Sequence, residues 1–444
     1  MDRPKPARAL TKIAGAASIR TIGALSAFLL SILVSRHFGA AGAGYFFGSL
    51  TAMFGLSIVA KFGFDKVTLR EIAANYNKDF PNHARQVFYS TVAIILTLSV
   101  ICMITVTIGD KLLNGEDRLS EQKYMVGFIA YCLAPAALLA ISSAALKGSF
   151  RPISASVVEF TAVPVIVLSA LATLIWLDLD IAIEQVAVLY AAVLTLIALL
   201  VALMVTRSLA GAGAGRAGLK SGSISVRRYW SESRGSAGHF FIIDSMAFII
   251  GWSSLLLLAS FVSVGDVGFY NAALRTASLL AIFQFGIASV TSPRFARAWE
   301  EENSEHLAYL VKSAARLMFV LAAIVLLAVL ISGRELMGLF GAGFGIAAYT
   351  PFVILMVFRC ISFMCGPSQE LLSMTGNEAA ITRSMTGGAV LILSLSLLLI
   401  PLYGIVGAAV ATGISDLFVK LLMTRQAYIR AGVLCLPLSF GIKR

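Results

Sequence analysis

The sequence predicts an all-α polytopic membrane protein with about twelve transmembrane helices in two six-helix lobes. Composition is the first reason: hydrophobic residues make up 59% of the 444 residues and charged residues 13%, whereas soluble domains average about 45–50% and about 25%. The apolar residues lie in long runs such as Val157–Leu177 and Met318–Ser332. Runs of about 20 apolar residues are what a bilayer core of about 30 Å requires of a helix.

An internal repeat is the second reason. The stretch Gly39–Ala73 resembles the stretch Val264–Arg297, and the offset between them is close to half of the chain. Both copies open with a glycine followed by two aromatic residues and run to a Phe-Gly pair, with Gly44 and Phe62-Gly63 in the first copy and Gly268 and Phe285-Gly286 in the second. We call the separation of Gly44 and Gly268 the repeat offset. A period this long indicates one unit written twice, and in membrane transporters paired halves place the working site at their interface.

The apolar runs define the individual helices. We predict them at 16–36, 41–61, 86–109, 123–146, 153–176, 183–206, 237–262, 266–291, 310–332, 346–366, 380–400 and 404–424, with a charged interfacial segment at 65–85. The corresponding domains are an N-terminal lobe at 1–206, a cytoplasmic linker at 207–235, a C-terminal lobe at 236–425 and a cytoplasmic tail at 426–444. The linker contains Gly213-Ala-Gly215-Arg-Ala-Gly218, which we interpret as a flexible tether because no strand precedes it.

The distribution of basic residues orients these helices. If the N-terminus is cytoplasmic, the inner segments hold 28 of the 35 Lys and Arg residues and the outer segments hold five. Positive residues concentrate on the cytoplasmic side of membrane proteins, so both termini are predicted to be cytoplasmic. The net charge of +12 is then a consequence of topology, and no nucleic-acid partner is predicted. The scattered cysteines and histidines predict no metal site.

Arg275 is the strongest candidate among the charges inside the predicted helices. Ionisable groups in lipid are costly and usually face a cavity or a partner. At helical spacing, Arg275 shares one face with Asn271 and Ser278, which predicts a polar stripe on an otherwise apolar helix. The alternative interpretation is a structural salt bridge between helices.

Five further intramembrane charges are candidates. Arg20 and Asp244 are separated by the repeat offset, and they are predicted to occupy equivalent places and to pair if they meet. Arg359 and Arg20 join Arg275, Asn271 and Ser278 as candidates for substrate binding. Glu159 and Asp416 join Asp244 as candidates for ion coupling, although Lys420 lies four residues after Asp416 and predicts an ordinary intrahelical pair.

Three stretches resemble the bacterial polysaccharide flippases of the multidrug/oligosaccharidyl-lipid/polysaccharide exporter superfamily. The first, FLLSILVSRHFGAAGAGYFF followed by GLSIVAKFGFDKVTLREIA, lies near the start of the chain. The others are VGDVGFYNAALRTASLLAIFQFGIASVTSPRFAR in the middle and LLIPLYGIVGAAVATGIS before the last helix. The resemblance extends over nearly the whole chain, through loose patterns of glycine, proline and apolar residues.

The resemblance implies two six-helix lobes, related by a pseudo-two-fold axis, around a central cavity. It implies a flippase of the bacterial inner membrane that moves an undecaprenyl-pyrophosphate-linked oligosaccharide by alternating access, for O-antigen, capsule or exopolysaccharide synthesis. An arginine of the eighth helix maps onto Arg275 and would contact the pyrophosphate. The implied partners are membrane lipids and the polymerase and glycosyltransferases of the same pathway. No cofactor is implied, and coupling to H⁺ or Na⁺ stays open.

Two other functions remain open. A drug or metabolite antiporter of the same superfamily should have an acidic cavity, and basic residues dominate the predicted midplane here. A membrane polymerase or glycosyltransferase would need a large outer loop or a soluble catalytic domain, and the longest predicted outer loop, 110–122, has no room for one. We therefore predict that the protein is not an enzyme.

Overall fold

A computed structural model describes residues 6–76, 81–114, 120–149, 151–211 and 226–436. All regular elements in these ranges are helical. They are α1 (Pro6–Lys61), α2 (Phe64–Tyr76), α3 (Pro81–Asn114), α4 (Ser120–Gly148), α5 (Pro152–Ser156), a π-helical turn (Val157–Thr161), α6 (Ala162–Trp176), α7 (Ile183–Gly211), α8 (Val226–Leu258), α9 (Val264–Ser278), α10 (Leu280–Glu300), α11 (Ser304–Gly338), α12 (Phe344–Ala347), α13 (Tyr349–Met364), α14 (Ser368–Met374) and α15 (Glu378–Ala431).

The described residues contain the predicted number of membrane-spanning helices. Nine helical stretches are long and apolar enough to cross a membrane, and α13 with α14 forms a tenth span bent by 45°. Two of the nine are double, because α1 is broken at Gly39 (φ 69°) and α15 at Gly404 (φ 54°). Glycine adopts positive φ without steric penalty, so each break joins two helices through a tight turn. The prediction of about twelve helices is confirmed.

The predicted eighth helix is divided in the structure. It consists of α9 and α10, and they meet at Leu279. There the backbone bonds shorten to three-residue steps, from Leu279 N–H to the Thr276 carbonyl and from Ile282 N–H to the Leu279 carbonyl. This tightening changes the rotation of the chain about the helix axis. Asn271, Arg275 and Ser278 all belong to α9, so the polar stripe predicted from them lies on one helix.

The chain divides into two compact units. One contains Met1–Leu30 and Tyr45–Ser245, and the other contains Ser31–Gly44 and Met246–Arg444. We call them the N-terminal and the C-terminal unit. In the N-terminal unit, α4 packs against α7, α3 and α2, and in the C-terminal unit, α13 packs against α15, α11 and α9. Helices α1 and α8 each contribute residues to both units.

Several predicted segments lie partly outside the described residues. Within the predicted linker, α7 continues to Gly211 and α8 begins at Val226. Residues 212–225, including Gly213 to Gly218, lie outside the described residues, as do residues 437–444 of the predicted tail. The charged segment at 65–85 overlaps α2 and the start of α3, and its residues 77–80 lie outside the described residues. Its location at the membrane surface stays a prediction, as do the lobe boundaries.

Candidate functional site

Arg275 lies in the last turn of α9, where two neighbours hold its side chain. Its Nε donates a hydrogen bond to Asn271 Oδ1, one turn earlier, at 3.0 Å. Its guanidinium carbon lies 6.0 Å from the centre of the Trp252 ring on α8, within the range of a cation–π contact. Asn271 is buried, and its Nδ2 has no hydrogen-bond partner among the described residues. Asn271 and Arg275 therefore lie on one helix face, as predicted, and they also form a hydrogen bond.

Arg359 joins three helices of the C-terminal unit. From α13, its Nη1 donates to Ser278 Oγ on α9 at 3.1 Å, and Ser278 Oγ in turn donates to the Leu274 carbonyl. Its Nε lies 3.8 Å from Asp416 Oδ2 on α15. The sequence did not predict either contact, because they join segments that lie far apart along the chain. Arg359, Ser278 and Asp416 form one connected polar cluster.

The predicted pair between Asp416 and Lys420 is wrong. Asp416 forms its ion pair with Arg359, and the described residues include no carboxylate within 4.0 Å of the Lys420 ammonium. The i,i+4 spacing brings two side chains to one helix face, but a third side chain from another helix can compete for either of them. Here Arg359, on the neighbouring helix α13, forms the ion pair with Asp416.

A cavity of about 330 Å³ lies beside this cluster, within the C-terminal unit. We call it the C-terminal cavity. Helices α8, α10, α13, α14 and α15 line it. Its polar lining residues are Gln284, Arg359, Ser362, Gln369, Asp416 and Lys420. This volume lies at the small end of the range for ligand pockets, about 300–1,000 Å³. Apolar walls with a few polar groups are typical of such pockets.

A buried hydroxyl network fixes the helix that carries Arg275. Tyr270 Oη lies 3.0 Å from Ser254 Oγ on α8 and 2.9 Å from Thr412 Oγ1 on α15, and these two hydroxyls lie 2.7 Å apart. All three residues are buried. Buried polar groups that are fully paired hold helices in one arrangement. Sequence reasoning missed this network, and its one signal was the aromatic pair that follows Gly268.

In the N-terminal unit, Arg20 packs on the π-helical turn. Its guanidinium carbon lies 4.8 Å from the centre of the Phe160 ring, and its buried Nε has no hydrogen-bond acceptor among the described residues. Thr161 Oγ1 donates to the Ile19 carbonyl at 2.8 Å. A π-helical turn often marks a functional position in a helix. The same turn carries Glu159, which pairs with Lys147 and accepts from Ser143 at 3.2 Å.

Asp244 does not contact Arg20. It forms an ion pair with Lys66 and lies 4.0 Å from the Lys61 ammonium. Lys61 also pairs with Asp65, at 3.3 Å. Of the two alternatives for Asp244, an ion pair with Arg20 is not formed in the structure, and coupling to an ion stays a prediction. Equivalent positions in two repeats lie in equivalent environments, which does not require that they meet.

The candidate residues form two separate groups when each unit is considered by itself. Asn271, Arg275, Ser278, Arg359 and Asp416 lie on adjacent helices of the C-terminal unit, whereas Arg20, Glu159 and Asp244 belong to the N-terminal unit. Each of the three predicted ion-coupling carboxylates has a cationic partner. Among the described residues, no group of three or more His, Cys, Asp or Glu side chains could hold a metal ion.

Comparisons with known proteins give the family. The family described as "Polysaccharide biosynthesis protein" matches residues 10–299. The "Probable low-salt glycan biosynthesis flippase Agl15" of Haloferax volcanii is 26% identical over 171 residues, which cover 38% of this chain and 36% of that protein. The match thus spans about a third of the relative's length.

Solved structures give the fold. The chain matches the inward-facing structure of a multidrug resistance MATE family transporter of the MOP superfamily with a TM-score of 0.69 at 15% identity, covering 95% of this chain and 98% of that one. It matches the inward closed structure of the lipid II flippase MurJ with a TM-score of 0.61 at 10% identity, covering 93% and 87%. At these identities the likeness establishes a shared fold.

Proposed function

The chain belongs to the polysaccharide biosynthesis protein family, and from this premise we propose that it is a flippase for a lipid-linked oligosaccharide. The substrate in this proposal is an oligosaccharide repeat unit on undecaprenyl pyrophosphate. The protein moves it across the bacterial inner membrane by alternating access between two lobes, with both termini in the cytoplasm. The product serves the synthesis of O-antigen, capsule or exopolysaccharide.

The arginines of the C-terminal unit are the observation that carries this proposal. Arg275 and Arg359 lie on neighbouring helices of a membrane-spanning bundle, and both also contact neutral partners, Asn271 and Ser278. A diphosphate that enters a low-dielectric region must exchange its hydration for fixed donors. A guanidinium supplies a permanent charge and two parallel N–H groups, which match the spacing of phosphate oxygens.

A transport role needs no bond to be made or broken. The polyprenyl tail can stay in the lipid while the protein replaces the water around the headgroup. A polymerase or glycosyltransferase acting on the same lipid would have to activate an acceptor hydroxyl. The carboxylates of the two groups are engaged by lysine or arginine, which supports charge compensation over general base chemistry.

An antiporter for drugs or metabolites is the second candidate, because the MATE fold is the same. An antiporter of that kind would use Asp244, Glu159 or Asp416 to exchange a proton or Na⁺ for its substrate. The cationic partners of these carboxylates already satisfy their charge, which favours the flippase. Gradient dependence of transport separates coupling from a purely structural role of the three carboxylates.

Reconstitution tests the proposal directly. Purified protein in liposomes should move a fluorescent polyprenyl-diphosphate oligosaccharide between leaflets, read as the fraction that a membrane-impermeant quencher reaches. Loss of a charge-assisted hydrogen bond costs about 1.5–3 kcal/mol, so Arg275→Ala should slow transport by about 10- to 150-fold. Arg275→Lys should retain part of the activity, since lysine keeps the charge without the fork.

Arg297→Ala is the matched control. Arg297 is exposed and pairs with Glu301 at the end of its own helix, so its removal should leave transport unchanged. Transport at the wild-type rate by Arg275→Ala would contradict the role of Arg275 in binding. Absence of transport by the wild-type protein, together with export of a cationic drug, would favour the antiporter.

A further inference from the structure

A groove of about 370 Å³ lies between α4 and α7 of the N-terminal unit. We call it the lateral groove. Gly127 and Tyr131 line it from α4, and Ala187 and Ala191 line it from α7. A Cβ added at Gly127 would meet no atom within 4 Å. The space between the two helices is therefore open because the residues that border it are small.

An aromatic cluster holds the groove in shape. Phe128, which lines the groove, is buried, and its ring centre lies 6.1 Å from that of Phe46 and 6.0 Å from that of Tyr190. The rings of Phe46 and Tyr190 lie 5.9 Å apart and complete the cluster. Close-packed side chains hold their positions, so the groove exists before anything binds in it.

The lateral groove begins at a membrane boundary. The apolar spans of α4 and α7 begin at Met125 and Ile183, and the first groove residues, Gly127 and Glu184, follow within the first turn of each span. From Glu184 to Ala192 the groove extends about 12 Å along α7, at 1.5 Å per residue. One leaflet contributes about 15 Å of hydrocarbon to a bilayer. The groove therefore covers most of the depth that one lipid chain occupies.

The rim of the groove is apolar and exposed. Tyr131 and Val188 line the groove, and they are 58% and 66% exposed. Apolar side chains that are exposed within a membrane-spanning segment contact lipid chains, whereas a path for a hydrophilic headgroup would be lined by polar groups. The groove therefore suits a hydrocarbon chain.

Glu184 is the charged group among the described residues that line the groove. It lies in the first turn of α7 and forms no ion pair among the described residues. Its carboxylate attracts a cation, while the unpaired N–H groups at the start of the same helix attract a phosphate. Phosphoethanolamine carries a phosphate and an ammonium two carbon atoms apart. A choline headgroup has the charge but no N–H to donate, and a glycerol headgroup has no cation.

We propose that the lateral groove binds a phospholipid with an ethanolamine headgroup. One acyl chain lies between α4 and α7, and the ammonium donates to the Glu184 carboxylate. A polyprenyl diphosphate carries no cation for Glu184, so the groove is not the site of the transported lipid. The inference is independent of the proposed function, because it concerns a lipid of the surrounding membrane.

Native mass spectrometry of the purified full-length protein tests the inference. The probes are phosphatidylethanolamine, phosphatidylcholine and phosphatidylglycerol with identical acyl chains, and the readout is the dissociation constant of the first lipid bound. We expect phosphatidylethanolamine to bind about two- to fivefold more tightly than the other two, which is the range that a partly exposed ion pair provides. Equal binding of the three lipids would overturn the assignment.

Carboxylate variants test the headgroup contact. Glu184→Gln should remove the preference for phosphatidylethanolamine and leave the binding of phosphatidylcholine unchanged. Asp180→Asn is the matched control, because Asp180 is an exposed carboxylate one turn before Glu184 that does not line the groove. A preference that persists in Glu184→Gln, or one that disappears in Asp180→Asn, would reject Glu184 as the partner of the ammonium.

A steric pair tests the position of the acyl chain. Gly127→Leu should weaken the binding of phosphatidylethanolamine at least fivefold by filling the groove. Gly109→Leu should leave it intact, because Gly109 lies on α3, outside the groove, with equally open space around it. Undisturbed binding in Gly127→Leu would place the lipid elsewhere.

Competition separates this lipid from the transported one. An equimolar polyprenyl diphosphate should not displace phosphatidylethanolamine from the wild-type protein. Displacement would assign the groove to the polyprenyl tail and overturn the inference. Flipping of the lipid-linked oligosaccharide in liposomes is measured separately, so failure of the proposed function and failure of this inference are distinguishable.

Discussion

The two copies of the internal repeat are alike where their backbones meet. Gly44 and Gly268 occupy matched positions, and each packs against the other copy. A Cβ built on Gly44 would lie 2.0 Å from the Val264 carbonyl oxygen, and one built on Gly268 would lie 2.0 Å from the Ala40 carbonyl oxygen. Ala40 and Val264 are themselves separated by the repeat offset. The contact is therefore reciprocal, like an interface between two identical surfaces.

The copies differ where each reaches its Phe-Gly pair. In the first copy, Phe62 (φ 43°) and Gly63 (φ 74°) form a left-handed turn that ends the transmembrane helix. The ring of Phe62 stacks on Phe241 at 5.0 Å, and Phe64 stacks on Trp230 at 5.4 Å. In the second copy, Phe285 and Gly286 lie inside α10, and the helix continues to Glu300. The same dipeptide therefore ends one helix and lies within another.

The two copies also differ in the charged side chains that they carry. The first copy places Lys61, Asp65 and Lys66 around its turn, where they compensate Asp244 and each other. The second copy places Arg275 within its helix, against Asn271. The comparison teaches that the repeat is preserved where two backbones touch and has diverged where each copy makes side-chain contacts of its own.

The largest contrast should come from alanine at the two Phe-Gly glycines. Gly63→Ala puts an alanine in a left-handed backbone conformation, which costs about 1–2 kcal/mol. Its Cβ would also lie 2.3 Å from the Ala237 carbonyl oxygen, and this clash adds about 1–3 kcal/mol of overpacking. Gly286→Ala should instead stabilise its helix by about 0.5–1 kcal/mol. Thermal unfolding of the purified proteins in detergent measures both changes. A shift of equal sign in the two variants would contradict the structural difference between the copies.

A smaller and symmetric effect should come from the reciprocal glycines. Gly44→Ala and Gly268→Ala each force one backbone away from the other, at about 1–3 kcal/mol for a strained contact. Because the two contacts are equivalent, the two losses in unfolding midpoint should agree within error. The double variant should cost less than the sum, since one displacement relieves both clashes. An unchanged unfolding midpoint in either single variant would contradict the reciprocal contact.

The smallest effect should come from the ion pairs of the first copy. Asp244 and Lys66 are partly exposed, and exposed pairs contribute about 0–1 kcal/mol. Asp244→Asn should therefore lower stability slightly, and the double exchange Asp244→Lys with Lys66→Asp should restore it. Exchange of Asp244 with Arg20 should restore nothing, since these residues are not in contact. If the exchange of Asp244 with Arg20 restored the stability, this result would support pairing of these two residues.

The fold could be predicted because its determinants are local. A run of about 20 apolar residues forms a membrane helix wherever it occurs, since lipid offers no other partner for backbone polar groups. The count of about twelve helices and the repeat followed from that rule and from matched glycines. The Asn271–Arg275 contact also followed, because both residues belong to one helix and four-residue spacing sets their distance.

Tertiary structure decided the partners of every charge that reaches another helix. Asp244 pairs with Lys66, Glu159 with Lys147, and Asp416 with Arg359. Periodicity places each of these side chains on a face but cannot say which helix lies opposite, because that depends on packing far along the chain. The same reason explains why the C-terminal cavity, built from five helices, became visible only in the folded chain. It also explains why the sequence assigned to Asp416 a lysine that forms no ion pair among the described residues.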